Sequence, residues 1–322
     1  MDIKALERSE VDSQKLAELT HIAMERSNLL AEDVTEETIL RNISKRITNH
    51  CYDLIFIAED NGKIVGFLAF YERQAWMLEI AHIWNWHPVV LPNENENEIA
   101  SELIQKALSH LKEIGLRKVT VDFPQVKEDT QSYFNKYLDW YSQAGISEIL
   151  EENFYKKSII EEDFEISVPD EYSLGYVSET DLDDLFNCWV AAFSSSQDKF
   201  FQSLDAEGRR EFFFDRWSRE KPLIQEASLT LLHKDKLIGF IRILPLYEPT
   251  DGCLSGIGVL PEYRRKGLAQ ELLKVSIMKL KESNFQTISF FVSTANSAAI
   301  SFYEKLGFES KHKIASISGE IT

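Results

Sequence analysis

IGVLPEYRRKGLAQELL, residues 257–273, sets three consecutive basic residues and a glycine between an apolar run and a helical pattern. The apolar run reads as a strand, and the residues from Leu268 onward repeat their apolar positions at helical spacing. A helix start carries unpaired N–H groups and a partial positive charge, and glycine lets an anion approach the main chain closely. Strand, basic turn, glycine and helix together therefore predict a phosphate or pyrophosphate site. The glycines do not follow the GxGxxG dinucleotide fingerprint, and there is no GxxxxGK[ST] nucleotide loop.

Around this turn the chain is acidic, with 53 Asp and Glu against 35 Lys and Arg and a formal charge of −18. That balance argues against a broad nucleic-acid or anionic-membrane surface, yet it says little about one small pocket. The start, MDIKALERSEVDSQKLAELTHIAM, reads as charged residues and then a helix, with no Lys/Arg-led apolar leader. No uninterrupted apolar segment approaches bilayer-crossing length. Cys51, Cys188 and Cys253 are widely spaced, which suits a reducing interior and gives neither a zinc nor a thioredoxin pattern. A cytoplasmic protein without nucleic-acid or membrane partners is the expectation.

Reading outward, the second half gives helices over 181–193 and 205–218 and a hairpin around Lys234–Asp235–Lys236. CLSGIGVL follows as a strand, LAQELLKVSIMKLKE as a helix, QTISFFVS as a strand and NSAAISFYEKLG as a helix closed by Gly307. The first half runs in the same order. A helical region over 9–50 precedes LIFIAEDNGKIVGFLAFYE, a hairpin turning at Asp60–Asn61–Gly62, and then WMLEIAHIWNWHPVVLP as a strand region. A helix over 98–114, the strand RKVTVDF and the helix QSYFNKYLDWYSQAG close the half. Pro92 and Pro261, Ala100 and Ala269, and Leu103 and Leu272 share one spacing, and Tyr141 with Tyr303 and Gly145 with Gly307 share a second, shorter one. This is an internal repeat. Its seam is expected over 156–172, where FEISV alternates as a strand should.

The sequence resembles the GCN5-related N-acetyltransferase (GNAT) superfamily, tandem-domain type with a degenerate N-terminal copy. IGVLPEYRRKGLAQELL matches that family's strand, R-x-x-G-x-G/A turn and helix through Arg264, Gly267 and Ala269. NSAAISFYEKLGF, residues 296–308, matches its later N-x-x-A-x-x-x-Y-x-x-x-G-F pattern. The fold implied is α/β (α+β): two tandem GNAT-like domains, 1–160 and 161–322, each a mixed, mostly antiparallel twisted sheet with flanking helices. The function implied is acetyl transfer from acetyl-CoA to a small-molecule or peptide amine by direct transfer. A noncatalytic acetyl-CoA-binding protein and a transferase of another acyl group are the alternatives.

The resemblance also implies residue roles. The backbone of Ile257 and Val259 would pair with the pantetheine arm, and the amides of Arg265, Lys266, Gly267, Leu268 and Ala269 would hold the pyrophosphate. Arg264 and Lys266 would add charge. The Val259 N–H would stabilise the thioester oxygen, Tyr303 would protonate the departing thiolate, and Asn296 would cap its helix and contact the cofactor. No metal is expected.

No carboxylate lies on CLSGIGVL to act as base, which leaves Glu226, His233, Glu248, Asp251 or an ordered water. In the first half, laying Pro92 on Pro261 sets Glu94, Glu96 and Glu98 about a helix start, with Glu98 over Gly267. Acids there suit the helix dipole and repel phosphate, so this half is expected to lack the cofactor. Trp76, Trp84, Trp86, Trp140 and Trp189 are core or acceptor-cleft aromatics, and His82 shares a strand face with Trp84 and Trp86.

Overall fold

The apolar strands of this chain are covered on both faces by helices. In the computed structural model, residues 1–27, 35–48, 54–71, 80–83, 87–93, 95–123, 131–219, 223–245 and 249–322 are described. They form two compact units: Met1–Leu150 with Lys313–Thr322, and Glu151–His312.

Unit 1 contains β1 (Asp2–Leu6), α1 (Ser13–Arg26), α2 (Glu36–Thr48), β2 (Leu54–Asp60), β3 (Lys63–Tyr71), β4 (Ile80–Ile83) and β5 (Val89–Val90). α3 (Glu96–Glu113), β6 (Lys118–Phe123) and α4 (Gln131–Gln143) follow, and β7 (Glu148–Ser158) starts at its end. Unit 2 takes most of β7, then β8 (Tyr172–Tyr176), α5 (Leu182–Phe193), α6 (Lys199–Ser203), α7 (Ala206–Arg219), β9 (Leu229–His233) and β10 (Lys236–Pro245). It continues through β11 (Asp251–Val259), α8 (Leu268–Glu282), β12 (Thr287–Ser293) and α9 (Ser297–Lys305), and β13 (Ser310–Glu320) starts at its end.

Each unit has a mixed sheet with one parallel pair. In unit 1 the order is β1-β2-β3-β4-β6-β13, with β4 and β6 parallel. In unit 2 it is β7-β12-β11-β10-β9-β8, with β11 and β12 parallel. Period-two alternation assigns the faces. On β10, Ile241 and Ile243 pack with α8 residues, while Ile238 and Phe240 pack with α5 residues. On β3, Leu68 and Phe70 face α3, while Phe67 and Ala69 face α1. Strands buried on both faces lose the polar alternation of a half-exposed sheet, which is why these segments read as continuous apolar runs.

The repeat holds at residue level. Gly66 pairs with Val90 in unit 1, and Gly239 pairs with Val259 in unit 2. Leu91 N–H donates to Val65 O at 2.9 Å, as Leu260 N–H donates to Ile238 O at 2.8 Å. Both hairpins turn through residues at positive φ, Asn61–Gly62 and Lys234–Asp235.

Three details differ from the sequence expectation. The charged start is an edge strand, β1, paired with β2 from Asp2↔Glu59 to Leu6↔Ile55. FEISV, 164–168, forms no strand, because side chains of α8 take its polar main-chain groups. Ser167 N–H donates to the Glu271 carboxylate at 2.7 Å, and Lys274 Nζ donates to Glu165 O at 3.2 Å. Finally, the units do not follow a cut at residue 160. β7 pairs along Glu152–Ser158 with β12 of unit 2, whereas the last residues of the chain pair with β6 of unit 1, Ala315↔Phe123 to Glu320↔Lys118.

Candidate active site

The parallel pair in unit 2 is short. β11 and β12 pair only at Asp251↔Thr287, Gly252↔Ile288 and Cys253↔Ser289. Beyond that point β11 stays on β10 and β12 stays on β7, so the two strands part. Leu254 to Val259 on one side and Phe290 to Ser293 on the other line a cleft of about 290 Å³.

The closed end of this fork is held by a buried acid. Asp251 is 3% exposed; its carboxylate meets Lys156 Nζ at 2.9 Å and accepts from Thr287 Oγ1 at 2.6 Å. One side chain thus ties β7, β11 and β12 together, and Asp251 is committed to that structural task. The remaining base candidates stand elsewhere. His233 Nδ1 is 3.0 Å from the Tyr263 hydroxyl, Glu226 is exposed on a turn, and neither lines the cleft; Glu248 lies outside the described residues.

At the open end the backbone of β11 offers hydrogen-bonding groups. Antiparallel ladders alternate, so each residue turns its N–H and C=O together toward one side. Because Leu260 N–H reaches Ile238 O on β10, Val259 and Ile257 turn theirs to the opposite edge, where no strand pairs and the Val259 carbonyl accepts from Arg264 Nε at 3.1 Å. Both residues line the cleft.

The basic turn leads from this edge into α8. Arg265 has φ 60 and Gly267 φ 79, so the chain winds through left-handed backbone before the helix begins. At Gly267 an added Cβ would meet nothing within 4 Å, so the space over the turn is open. The first main-chain bond of α8 runs from Glu271 N–H to Gly267 O at 3.1 Å. The amides of Leu268, Ala269 and Gln270 precede it and start the helix without intrahelical acceptors. Arg265, Lys266 and Gly267 are exposed, Leu268 is buried, and Ala269 lines the cleft. Lys266 Nζ stands 3.4 Å from the Tyr172 hydroxyl, and Arg264 is bonded to protein oxygens.

α9 supplies the far wall. Asn296 Oδ1 accepts from Ala299 N–H at 3.2 Å, the cap expected of it, and the residue lines the cleft. Tyr303 is 6% exposed, with its ring 4.2 Å from that of Phe290. Its hydroxyl has no hydrogen-bond partner among the described residues, and burial raises its pKa, so it stays protonated. The sequence reading missed Asp198, the one carboxylate that lines the cleft among the described residues. It caps α6 through Phe201 N–H at 2.8 Å; the spacing Asp198–Phe201 signals a cap, and nothing local signals the cleft.

Unit 1 has the same framework with the openings closed. α3 begins at Glu96, so the residues matching Arg265, Lys266 and Gly267 lie inside the helix. Glu96 pairs with Lys136 Nζ at 2.7 Å, and Asn97 Oδ1 accepts from Trp140 Nε1 at 2.8 Å. The Tyr141 hydroxyl donates to His87 O at 2.8 Å and the Tyr137 hydroxyl to Pro88 O at 3.2 Å. Pro88 stands where Ile257 does, and proline has no N–H to offer. Trp140 and Trp189 are core residues at 3% and 5% exposure. Trp76, Trp84, Trp86, Glu94 and the side chain of His82 lie outside the described residues.

Among the described residues no His/Cys/Asp/Glu group is arranged to hold a metal ion, and no helix is long and apolar enough to cross a membrane.

The acetyltransferase (GNAT) family model matches residues 17–140 and 187–308, one match in each unit. The chain belongs to the GNAT family, the class of acetyl-CoA-dependent N-acetyltransferases, and carries it in tandem. An uncharacterized N-acetyltransferase of Methanocaldococcus jannaschii is 22% identical over 183 residues, 55% of this chain and 77% of that protein. The N-alpha-acetyltransferase 30 of Schizosaccharomyces pombe is 33% identical over 86 residues, 26% of this chain and 57% of that protein. A GCN5-related N-acetyltransferase from Sphaerobacter thermophilus superposes with a TM-score of 0.60 at 15% identity, covering 99% of this chain and 95% of that one. A tandem GNAT protein from the clavulanic acid biosynthesis pathway gives 0.56 at 15% identity, covering 100% and 99%. At these identities the two structures speak for the fold alone.

Proposed function

We propose that unit 2 is the catalytic unit, moving an acetyl group from acetyl-CoA to a primary amine of a small molecule or peptide by direct transfer. Unit 1 is then a copy of the fold that has lost cofactor binding. The observation carrying this reading is the fork of β11 and β12, which opens beside the glycine turn and has a protonated tyrosine on its wall.

The residues present fit an elongated acyl thioester with an anionic end. The open space over Gly267 and the amides starting α8 suit a pyrophosphate, as helix N-termini generally do. The main-chain groups of Ile257 and the Val259 N–H, on an edge where no strand pairs, suit an amide-bearing arm, which would add to the sheet as a strand does. Acetyl-CoA, when bound, supplies an acetyl group activated as a thioester. The Val259 N–H, turned to the open edge, is a donor for negative charge developing on a carbonyl oxygen there. Tyr303 holds a proton at its hydroxyl, ready for a thiolate leaving the cleft. Asp198, at the same cleft, favours a cationic or proton-releasing acceptor.

Isothermal titration with acetyl-CoA, followed by thiol-release assays over alkylamines, aromatic amines and peptide N-termini, tests the proposal. Saturable binding with amine-dependent thiol release supports it. Absence of binding would sink it, and binding without release for any amine would favour a noncatalytic acetyl-CoA-binding protein. Release only with longer acyl thioesters would reassign the acyl group.

A further inference from the structure

The first arginine of the basic turn is already engaged. Arg264 Nε donates to Val259 O at 3.1 Å, Nη1 donates to Ser195 Oγ at 2.9 Å, and Nη2 donates to Ala192 O. Each guanidinium nitrogen meets a different acceptor, one at the end of β11 and two in residues 192–195, a match to the planar fork that a lysine cannot reproduce. Ala192 lies in the last turn of α5, where helix carbonyls lack intrahelical partners and carry partial negative charge. Arg264 itself is exposed, yet all three of its guanidinium nitrogens are occupied by protein oxygens.

The approach of α5 to β11 makes this contact possible. Gly258 carries no side chain, and a Cβ built there would stand 2.9 Å from the Cβ of Ala192. From Ala192 the chain runs on through Phe193, Ser196 and Asp198, all of which line the cleft with β11. Arg264 lines it too, at the junction of strand end, anion turn and this loop.

We propose that Arg264 is a positioning residue: it clasps residues 192–198 to the end of β11 and so keeps the acceptor side of the cleft in register with the Val259 amide. It is not a phosphate ligand. The words "acceptor side" rest on the transferase reading above, whereas the clasp itself can be measured without turnover.

Arg264→Lys keeps the charge and loses the fork; Arg264→Gln loses the charge as well. If the fork is what matters, both variants speed amide hydrogen exchange over 193–198 by about tenfold or more and lower acceptor kcat/KM by a similar factor. Both leave the acetyl-CoA Kd, and its dependence on salt, within about threefold of the parent value. A lysine variant that behaves as wild type, beside a glutamine variant that loses acetyl-CoA affinity about tenfold, would overturn the clasp in favour of charge-based anion binding. So would unchanged exchange over 193–198 in both variants. Ser195→Ala, which removes one arm without touching the turn, is the second variant should either arginine variant fail to fold; it is expected to speed the same exchange, and no change there counts against the proposal. If the wild type does not bind acetyl-CoA, the transferase reading falls and the exchange measurement still decides the clasp.

Discussion

The Tyr141 hydroxyl donates to the His87 carbonyl at 2.8 Å, whereas the hydroxyl of its counterpart Tyr303 has no hydrogen-bond partner among the described residues. The two tyrosines occupy matching helix positions in different surroundings, Tyr141 fully buried and Tyr303 on the wall of the cleft. Tyr303→Phe is expected to lower kcat by about 100-fold or more with an unchanged acetyl-CoA Kd, the usual scale for a lost proton donor. Tyr141→Phe should leave kcat untouched and lower stability by about 1–2 kcal/mol, because a buried carbonyl loses its donor. Steady-state kinetics and urea unfolding of the pair separate the roles; equal kinetic losses would overturn the assignment of the two units. Burial holds the Tyr303 pKa above its ordinary value of 10.0, so ionisation of Tyr303 adds no limb to the pH–rate profile below that pH.

Gly267 makes the same comparison on the cofactor side. Its φ of 79 is left-handed backbone that a β-carbon disfavours, and a glutamate there would add negative charge beside the helix start. Gly267→Glu is expected to weaken acetyl-CoA binding by about 100-fold or more, through geometry and charge together. Glu98→Gly, inside α3, should cost roughly 1 kcal/mol of helix stability and leave acetyl-CoA affinity within experimental error. Titration calorimetry on the two variants reads the difference directly.

Asp198 is the carboxylate that lines the cleft among the described residues. Asparagine caps a helix nearly as well as aspartate, so Asp198→Asn should preserve α6 and remove only the charge. The KM for alkylamines should rise about tenfold, while weakly basic aromatic amines, neutral near pH 7, change little. A uniform loss over both amine types would rule out recognition of a cation.

His87 gives unit 1 an acid sensitivity. It is 3% exposed, Ala69 N–H donates to its Nδ1 at 3.3 Å, and burial, aided by the positive charge of Arg46, depresses its pKa to about 3. The unfolded chain takes up this proton near pH 6.5 and the folded chain only near 3, so stability is intact above 6.5 and falls as the pH drops toward 3. At pH 5 the loss from this group is about 2 kcal/mol. Thermal unfolding at pH 7 and pH 5 should show the fall in the parent, and His87→Gln should flatten it.

Much of this fold is legible in the residues because the signals are local. Asn61–Gly62 requires a tight turn, Gly145 and Gly307 end their helices at positive φ, and Pro92 and Pro261 mark the same point of the repeat. The basic glycine turn is legible for the same reason, since glycine and helix start are neighbours in the chain. FEISV shows the limit: its alternation is real, yet Glu271 and Lys274 on α8 take its main-chain groups, and no period within five residues could announce them. Asp251 shows the limit for chemistry. A carboxylate near the fork looked available as a base until Lys156 and Thr287, remote in sequence, converged on it.

The sequence by itself determined that this chain is a repeated strand–helix framework with one basic glycine turn, because turns, caps and periodicity are read within a few residues of one another. Tertiary structure alone decided what the turn's charges do. Arg264 is drawn to the end of α5 by the Ala192 carbonyl and the Ser195 hydroxyl, some seventy positions away, and the terminal strand completes unit 1 by pairing with β6. Hydrogen bonds and ion pairs are satisfied by whatever the fold brings within about 3 Å, and that distance has no relation to distance along the chain.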